Sequence, residues 1–160
     1  PVRVKLVPPA PADRSTLAEA QRAVPLVPRP EGDCWPAIAG ALELEEPDVA
    51  RTWLTFLRGL GLVRRGRRGF ARTRVEPDRE TLAAGLREGV FLAAELEAAL
   101  GDEPVSADAA YEAVADSVPP WERAKARDWE RTWRERVERL LGWLVLAGLA
   151  ERAESGYRRA

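Results

Sequence analysis

Two stretches of this chain, offset by 87 residues, carry one pattern. Gly61-Leu62-Val63-Arg64-Arg65-Gly66-Arg67-Arg68-Gly69-Phe70-Ala71-Arg72 aligns with Gly148-Leu149-Ala150-Glu151-Arg152-Ala153-Glu154-Ser155-Gly156-Tyr157-Arg158-Arg159. Upstream, Trp53, Leu54, Phe56 and Leu57 fall on Leu140, Leu141, Trp143 and Leu144 at the same offset. A second anchor, Asp13-Arg14-Ser15-Thr16-Leu17-Ala18, resembles Asp78-Arg79-Glu80-Thr81-Leu82-Ala83 at an offset of 65, which gives the second copy an insertion of 22 residues. Two anchors in the same order predict a duplicated module. The constraint is severe, because each copy has to bury its own core within half of a 160-residue chain.

Each copy reads helix, helix, helix, hairpin. In the first, residues 16–24 form a short helix and 35–42 a second, opened by Pro36 near its first turn. An acid-rich turn follows, and Pro47 or Asp48 starts a third helix that ends at Gly59–Gly61. In the second copy, helices are expected over about 79–100 and 106–117, then a long one from Pro119-Pro120 to near Gly148. Val2-Arg3-Val4-Lys5-Leu6 alternates like a short strand and breaks at Pro8, Pro9 and Pro11. The expected class is mainly α with small β-hairpins (α+β), two modules in tandem, the second with a long helix.

Charge divides the chain as well. Residues 1–75 hold 13 basic and 8 acidic side chains, a net of +5, and residues 76–160 hold 12 and 18, a net of −6. Residues 76–116 set 11 acids against Arg79 and Arg87 alone. The expected domains are therefore 1–75, with a basic hairpin, and 76–160, acidic, with an extended helix over 119–148. Residues 58–74 hold seven arginines and no acid. Nearly all basic residues are arginine, so abundance reflects codon supply in part, and placement is the stronger signal.

Several function classes have little to stand on. The chain has no histidine and one cysteine, Cys34, which removes the commonest general base and metal ligand and any internal disulfide. Without a histidine to activate it, Cys34 reads as a small buried hydrophobe rather than a nucleophile. The carboxylates of 76–116 sit among alanines and leucines at helical spacing, as on a solvated amphipathic helix, and no phosphate loop or nucleophile elbow is present. No enzyme, metal or cofactor is expected. No run of apolar residues is long enough to span a bilayer and no signal-peptide pattern opens the sequence, so no membrane contact and a cytoplasmic location are expected.

The first copy resembles a winged helix-turn-helix domain. The resemblance rests on Ile38-Ala39-x-Ala41-Leu42, Val49-Ala50-Arg51-x-x-Leu54-x-x-Leu57, Gly61-Leu62-Val63-Arg64-Arg65, the glycine-tipped hairpin Gly66–Gly69 and Phe70. It covers residues 16–75 and, more loosely, 79–159. It implies a tandem winged-helix protein, an architecture found in transcription regulators, replication initiators and accessory subunits of chromosome-condensing complexes. The same fold also serves as a protein-interaction module.

Helix geometry bears on which residues would touch nucleic acid. Val49, Trp53, Phe56, Leu57 and Leu60 form one apolar stripe, opposite Asp48, Arg51, Thr52, Thr55, Arg58 and Gly59. Short hydroxyls and arginine suit a helix in a DNA major groove, and they equally suit a solvated face. Glu43, Glu45, Glu46 and Asp48 stand where such a helix would meet the duplex; they fit a helix N-terminus and would repel phosphates. The hairpin is the more credible contact, through Arg64, Arg65, Arg67, Arg68, Arg72 and Arg74. Pairing of these arginines with the acidic half is the alternative. The expected partner is double-stranded DNA, and the expected function that of a transcriptional or chromosome-associated regulator; a scaffold acting through protein contacts alone is the other reading.

The second copy reads as built for packing. At the offset of 87, Arg58 becomes Val145 and Gly59 becomes Leu146, and residues 140–147 are apolar all round. Trp129, Trp133, Val137, Leu140 and Leu144 make a stripe, with Trp121 two turns earlier. Such a stripe is core or a dimer seam sooner than a base-stacking platform. Trp121, Trp129, Trp133, Val137, Val145 and Leu146 are therefore the expected interface with a second copy, the other domain or a protein partner.

Overall fold

Leu17, Ala20 and Val24 recur at helical spacing along and just past the first helix, α1 (Ser15–Ala23), and all three are fully buried. They meet Cys34 and Ile38 from α2 (Glu31–Leu42) and the inner face of α3 (Pro47–Gly59), where Ala50, Trp53, Leu54, Phe56 and Leu57 are buried. Trp53 meets Phe56 edge to face, with centroids 6.2 Å apart. Each such large apolar side chain withdrawn from water is worth about 1.5–3 kcal/mol before the entropy of ordering it. Cys34 lies wholly inside this core, its thiol donating to the Arg29 carbonyl at 3.6 Å, and burial pushes its pKa upward. It packs as a hydrophobe.

This computed structural model describes residues 3–160. The chain divides into two compact units, one reaching to Val90 and the other running Phe91–Ala160. The first continues from α3 into β1 (Val63–Gly66), β2 (Gly69–Arg72) and α4 (Arg79–Gly89). The second holds α5 (Ala93–Ala99), α6 (Ala107–Val114), α7 (Pro120–Arg123), α8 (Trp129–Leu146), β3 (Ala150–Ala153) and β4 (Gly156–Arg159). The architecture is mixed α+β, helices with two small antiparallel hairpins, as the sequence predicts. None of the described helices is long and apolar enough to cross a membrane.

The turn from third helix to hairpin uses one device twice. Gly61 closes α3 at φ +79, with Leu62 N–H on the Leu57 carbonyl (2.9 Å) and Gly61 N–H on the Arg58 carbonyl (3.0 Å). Gly148 closes α8 at φ +75, with Leu149 on Leu144 (2.9 Å) and Gly148 on Val145 (3.0 Å). This is the left-handed glycine cap that satisfies the last helical carbonyls. Beyond it, Gly66 pairs with Gly69 and Ala153 with Gly156, leaving two-residue tips. Arg67 and Arg68 keep negative φ, so the positive φ that the hairpin needs falls on Gly69, at +113.

A third, single-residue strand completes each hairpin. Arg29 exchanges both backbone hydrogen bonds with Phe70, and Val105 does the same with Tyr157. Arg72 N–H reaches the Pro25 carbonyl (2.8 Å), and Arg159 N–H the Gly101 carbonyl (2.9 Å). These equivalences correct the alignment of the two copies. The region before the second helix repeats at an offset of 76, not 65, and α1 corresponds to α5; the second copy holds 11 extra residues, not 22.

α4 therefore belongs to the first unit. Its Gly85 and Gly89 face Leu60 and Gly59 so closely that a Cβ on Gly89 would lie 2.7 Å from the Gly59 carbonyl carbon and closer still to its oxygen. The two units meet in sequence at Val90–Phe91, whereas charge composition places the division at 75–76, because this glycine seam has no charge signature.

Three expected elements differ in form. The helix expected over 79–100 is broken by extended Val90, which bridges Val4, and by Leu92 at φ +76. The strand expected over 2–6 is reduced to that Val4 bridge; Val2 lies outside the described residues. The long helix expected over 119–148 is two helices, α7 and α8. Tertiary anchoring overrides helix propensity between them. Arg123 donates to the carbonyls of Val118 and Ala115 and stacks over Trp129, while buried Glu122 pairs with Lys125. α2 starts at Glu31, so Pro36 sits inside it and not at its opening; the exposed backbone near Gly32 leaves the unpaired carbonyl to water.

Glu43 closes α2 at φ +54, a left-handed position that side chains other than glycine and asparagine occupy at a cost. Glu43→Gly is expected to raise the stability of the first unit by about 0.5–1 kcal/mol. A urea midpoint shifted upward at unchanged slope checks it; a lower midpoint contradicts it.

Candidate nucleic-acid interface

The hairpin of the first unit combines buried apolar side chains with exposed basic ones. Val63, Phe70 and Ala71 are buried, while Arg64, Arg65, Arg67 and Arg68 are exposed. Arg65, paired across the hairpin with Phe70, lies over its ring at 5.6 Å and stays exposed. Among the described residues, Arg64, Arg67, Arg68 and, just past β2, exposed Arg74 make no ion pair with an acid of their own unit. Four unpaired guanidiniums in a wing tipped by two of them form a strongly positive, accessible surface.

Arg72 departs from this group. It is half-buried, its Nη1 reaches the Arg22 carbonyl at 3.5 Å, and its Nε is buried with no hydrogen-bond partner among the described residues. Placed at the base of the wing, it faces a cavity with Arg22 and Arg74 and not the outer surface.

The outer face of α3 is less available than its sequence suggests. Arg51 is bound to Asp48 (2.9 Å) and stacked on the Trp35 ring (4.6 Å). The Thr52 hydroxyl donates to the Asp48 carbonyl of its own helix at 2.9 Å. Arg58 is half-buried at the helix end that α4 covers. Thr55 alone of the four is exposed without such a partner among the described residues. Glu43, Glu45, Glu46 and Asp48 lie toward solvent, and Glu46 at the N-cap accepts no side-chain cap bond. Asp48, in the first turn, suits the helix dipole and pairs with Arg51, and all four charges face water where a duplex would approach.

In the second unit the equivalent hairpin keeps its cations occupied. Arg158 pairs with Glu151 at 3.1 Å, Arg152 stacks on Tyr157, and the Arg159 guanidinium reaches the Ala98 carbonyl. The tip carries Glu154 and Ser155. Trp133 and Val137 are core residues of this unit, 3% and 1% exposed, with Trp133 edge-on to Phe91 at 5.7 Å. They are withdrawn from any outer interface. Trp129 is half-buried under Arg123, Val145 and Leu146 are half-buried, and Trp121 is 67% exposed.

Sequence reasoning missed two features here. The glycine seam under Arg58 was signalled by Gly85 and Gly89 at i, i+4 in one helix. Arg22, brought beside Arg72 by the fold, had no local signal at all.

Set against curated proteins and against solved structures, the chain finds no match. A family model does match it, over residues 2–160, almost its whole length. The two glycine-capped helix–hairpin modules and that match agree: the chain belongs to the family described as the halobacterial double winged helix domain.

Proposed function

We propose that the chain binds double-stranded DNA through phosphate contacts of its first wing and acts as a transcriptional or chromosome-associated regulator, without catalysis. The observation that carries this reading is the accessible group Arg64, Arg67, Arg68 and Arg74, left without acidic partners among the described residues of its own unit. Its contrast with the internally satisfied second wing argues against a generic arginine excess. A fold built of paired winged helices supports the same reading by analogy. In this reading the wing leads and α3 stays largely outside the groove, since Arg51 is held by Asp48 and Trp35.

Binding of short duplexes followed by fluorescence anisotropy across a salt series tests it. About four phosphate contacts predict a slope of log K against log salt of roughly −3 to −4, with sequence-independent affinity in the micromolar range or weaker at physiological salt. Absent or salt-insensitive binding sinks the DNA reading.

The scaffold reading has one observation in its favour, the Trp121 ring left 67% exposed in the second unit. A large aromatic in that state marks contact surfaces. Light scattering at micromolar concentration separates a self-associating chain from a monomer.

A further inference from the structure

At the base of the first wing, α1 and the segment leaving the hairpin line an open cavity of about 330 Å³. Three guanidiniums line it, from Arg22, Arg72 and Arg74, against one carboxylate, Glu76. Among the described residues none of the three forms an ion pair within the unit, and the Arg72 Nε–H is buried without an acceptor. A guanidinium is the group best shaped to bind a carboxylate through two parallel bonds. The same cavity carries apolar surface: Leu26 and Val75, 45% and 44% exposed, are among the few large aliphatic side chains that the chain leaves to water.

Hydrogen bonds tie the walls of the cavity together. Gln21, 5% exposed, sends its amide to the carbonyls of Leu62, Thr73 and Val75, tying the hairpin exit to α1. The Arg72 backbone is pinned to Pro25. Its volume falls at the small end of ligand sites, which combine an apolar lining with a few convergent polar groups.

We propose that this cavity is a binding site for a small organic carboxylate with a short aliphatic body. Its carboxylate sits on the exposed Arg22 and Arg74 guanidiniums, beside half-buried Arg72, and its chain lies on Leu26 and Val75. A bare phosphate of a duplex would use the charges and leave the aliphatic surface uncovered, so the mixed lining favours the small amphiphile. The site does not depend on DNA binding by the wing tip.

Hexanoate is a suitable probe, with acetate, hexanamide and inorganic phosphate as comparisons. Arginine Nε–H signals of the full chain report it by nuclear magnetic resonance. Hexanoate is expected to shift the Arg72 Nε–H signal saturably, with a Kd on the order of a millimolar for so small a ligand. Acetate, hexanamide and phosphate should each bind about ten-fold more weakly or worse, since each lacks one half of the recognition. Arg74→Gln and Leu26→Asn, both at exposed positions, should each weaken hexanoate about five-fold or more while the remaining spectrum is unchanged. Failure to saturate overturns the proposal, as does equal affinity for acetate or phosphate, or an Arg72 response that neither variant weakens.

Discussion

Gly69→Ala is expected to destabilise the first unit by about 3 kcal/mol or more, and Gly156→Ala the second by a similar amount. At φ +113, a Cβ on Gly69 would stand 2.5 Å from the Arg29 carbonyl carbon and closer still to its oxygen. At φ +145, one on Gly156 would stand 2.5 Å from the Val105 carbonyl carbon. Relief requires the single-residue third strand to move away, and that strand is held by Arg29 N–H to Phe70 (2.9 Å) and Phe70 N–H to Arg29 (2.8 Å). Breaking those two bonds costs about 1 kcal/mol each, and the forced backbone conformation adds roughly 1–3 kcal/mol. Gly66→Ala is the control, since a Cβ there meets nothing within 4 Å. Denaturation followed by hydrogen exchange, which resolves the two units, should show reduced protection in the unit that carries the substitution. An unchanged midpoint for Gly69→Ala would show that the wing can shift without cost, which the close approach of Arg29 denies.

The same close approaches explain what the sequence made legible. The repeat was readable at its C-terminal anchor because two demanding backbone positions recur there, the helix-closing Gly61 and Gly148 and the hairpin Gly69 and Gly156. Left-handed or crowded sites admit little besides glycine, so their spacing survives divergence of the side chains between them. The N-terminal anchor misled for an equally physical reason. Asp78 accepts the Thr81 N–H at 2.8 Å, and Asp13 accepts the Ser15 N–H and hydroxyl. Those hydrogen bonds hold both carboxyls below the usual carboxylate range. The two strings both put an aspartate acceptor at a helix start, as N-cap of α4 and one residue before the N-cap of α1, and so look alike wherever in a module those helices stand. The true counterpart of α1 is α5, where Ala93, Leu96 and Leu100 repeat the buried positions of Leu17, Ala20 and Val24 with almost no shared identity.

Of the candidate site, the wing tip was legible because a two-residue hairpin leaves its tip side chains no neighbours to pair with. The α3 arginines were not, since Arg51 is claimed by Trp35, an aromatic on another helix, and Arg58 by the approach of α4. Inward placement of Arg72 likewise depends on α1, fifty residues away in sequence at Arg22. Local pattern reports exposure well only where the fold brings nothing back.

Charge reversal of the wing tip, Arg67→Glu with Arg68→Glu, is expected to weaken duplex binding about 100-fold at low salt, roughly 2.7 kcal/mol. It should also flatten the salt slope by about 2, one for each phosphate that the wing no longer neutralises. Both side chains are exposed at a two-residue tip and do not support the hairpin, so the fold should be retained and the effect read as binding alone. Arg158→Glu with Arg159→Glu, the same change on the second wing, should alter affinity only through net charge, because those guanidiniums are already engaged by Glu151 and the Ala98 carbonyl. A third variant separates the wing from the helix. Neutralising Glu43, Glu45 and Glu46 to glutamine removes three solvent-facing charges in front of α3. If α3 enters the groove, relief of repulsion tightens binding several-fold; if the wing binds with the helix held back, affinity changes little. The arrangement of Arg51 under Asp48 and Trp35 favours the second outcome, and equal weakening from reversing either wing would refute the assignment of DNA binding to the first.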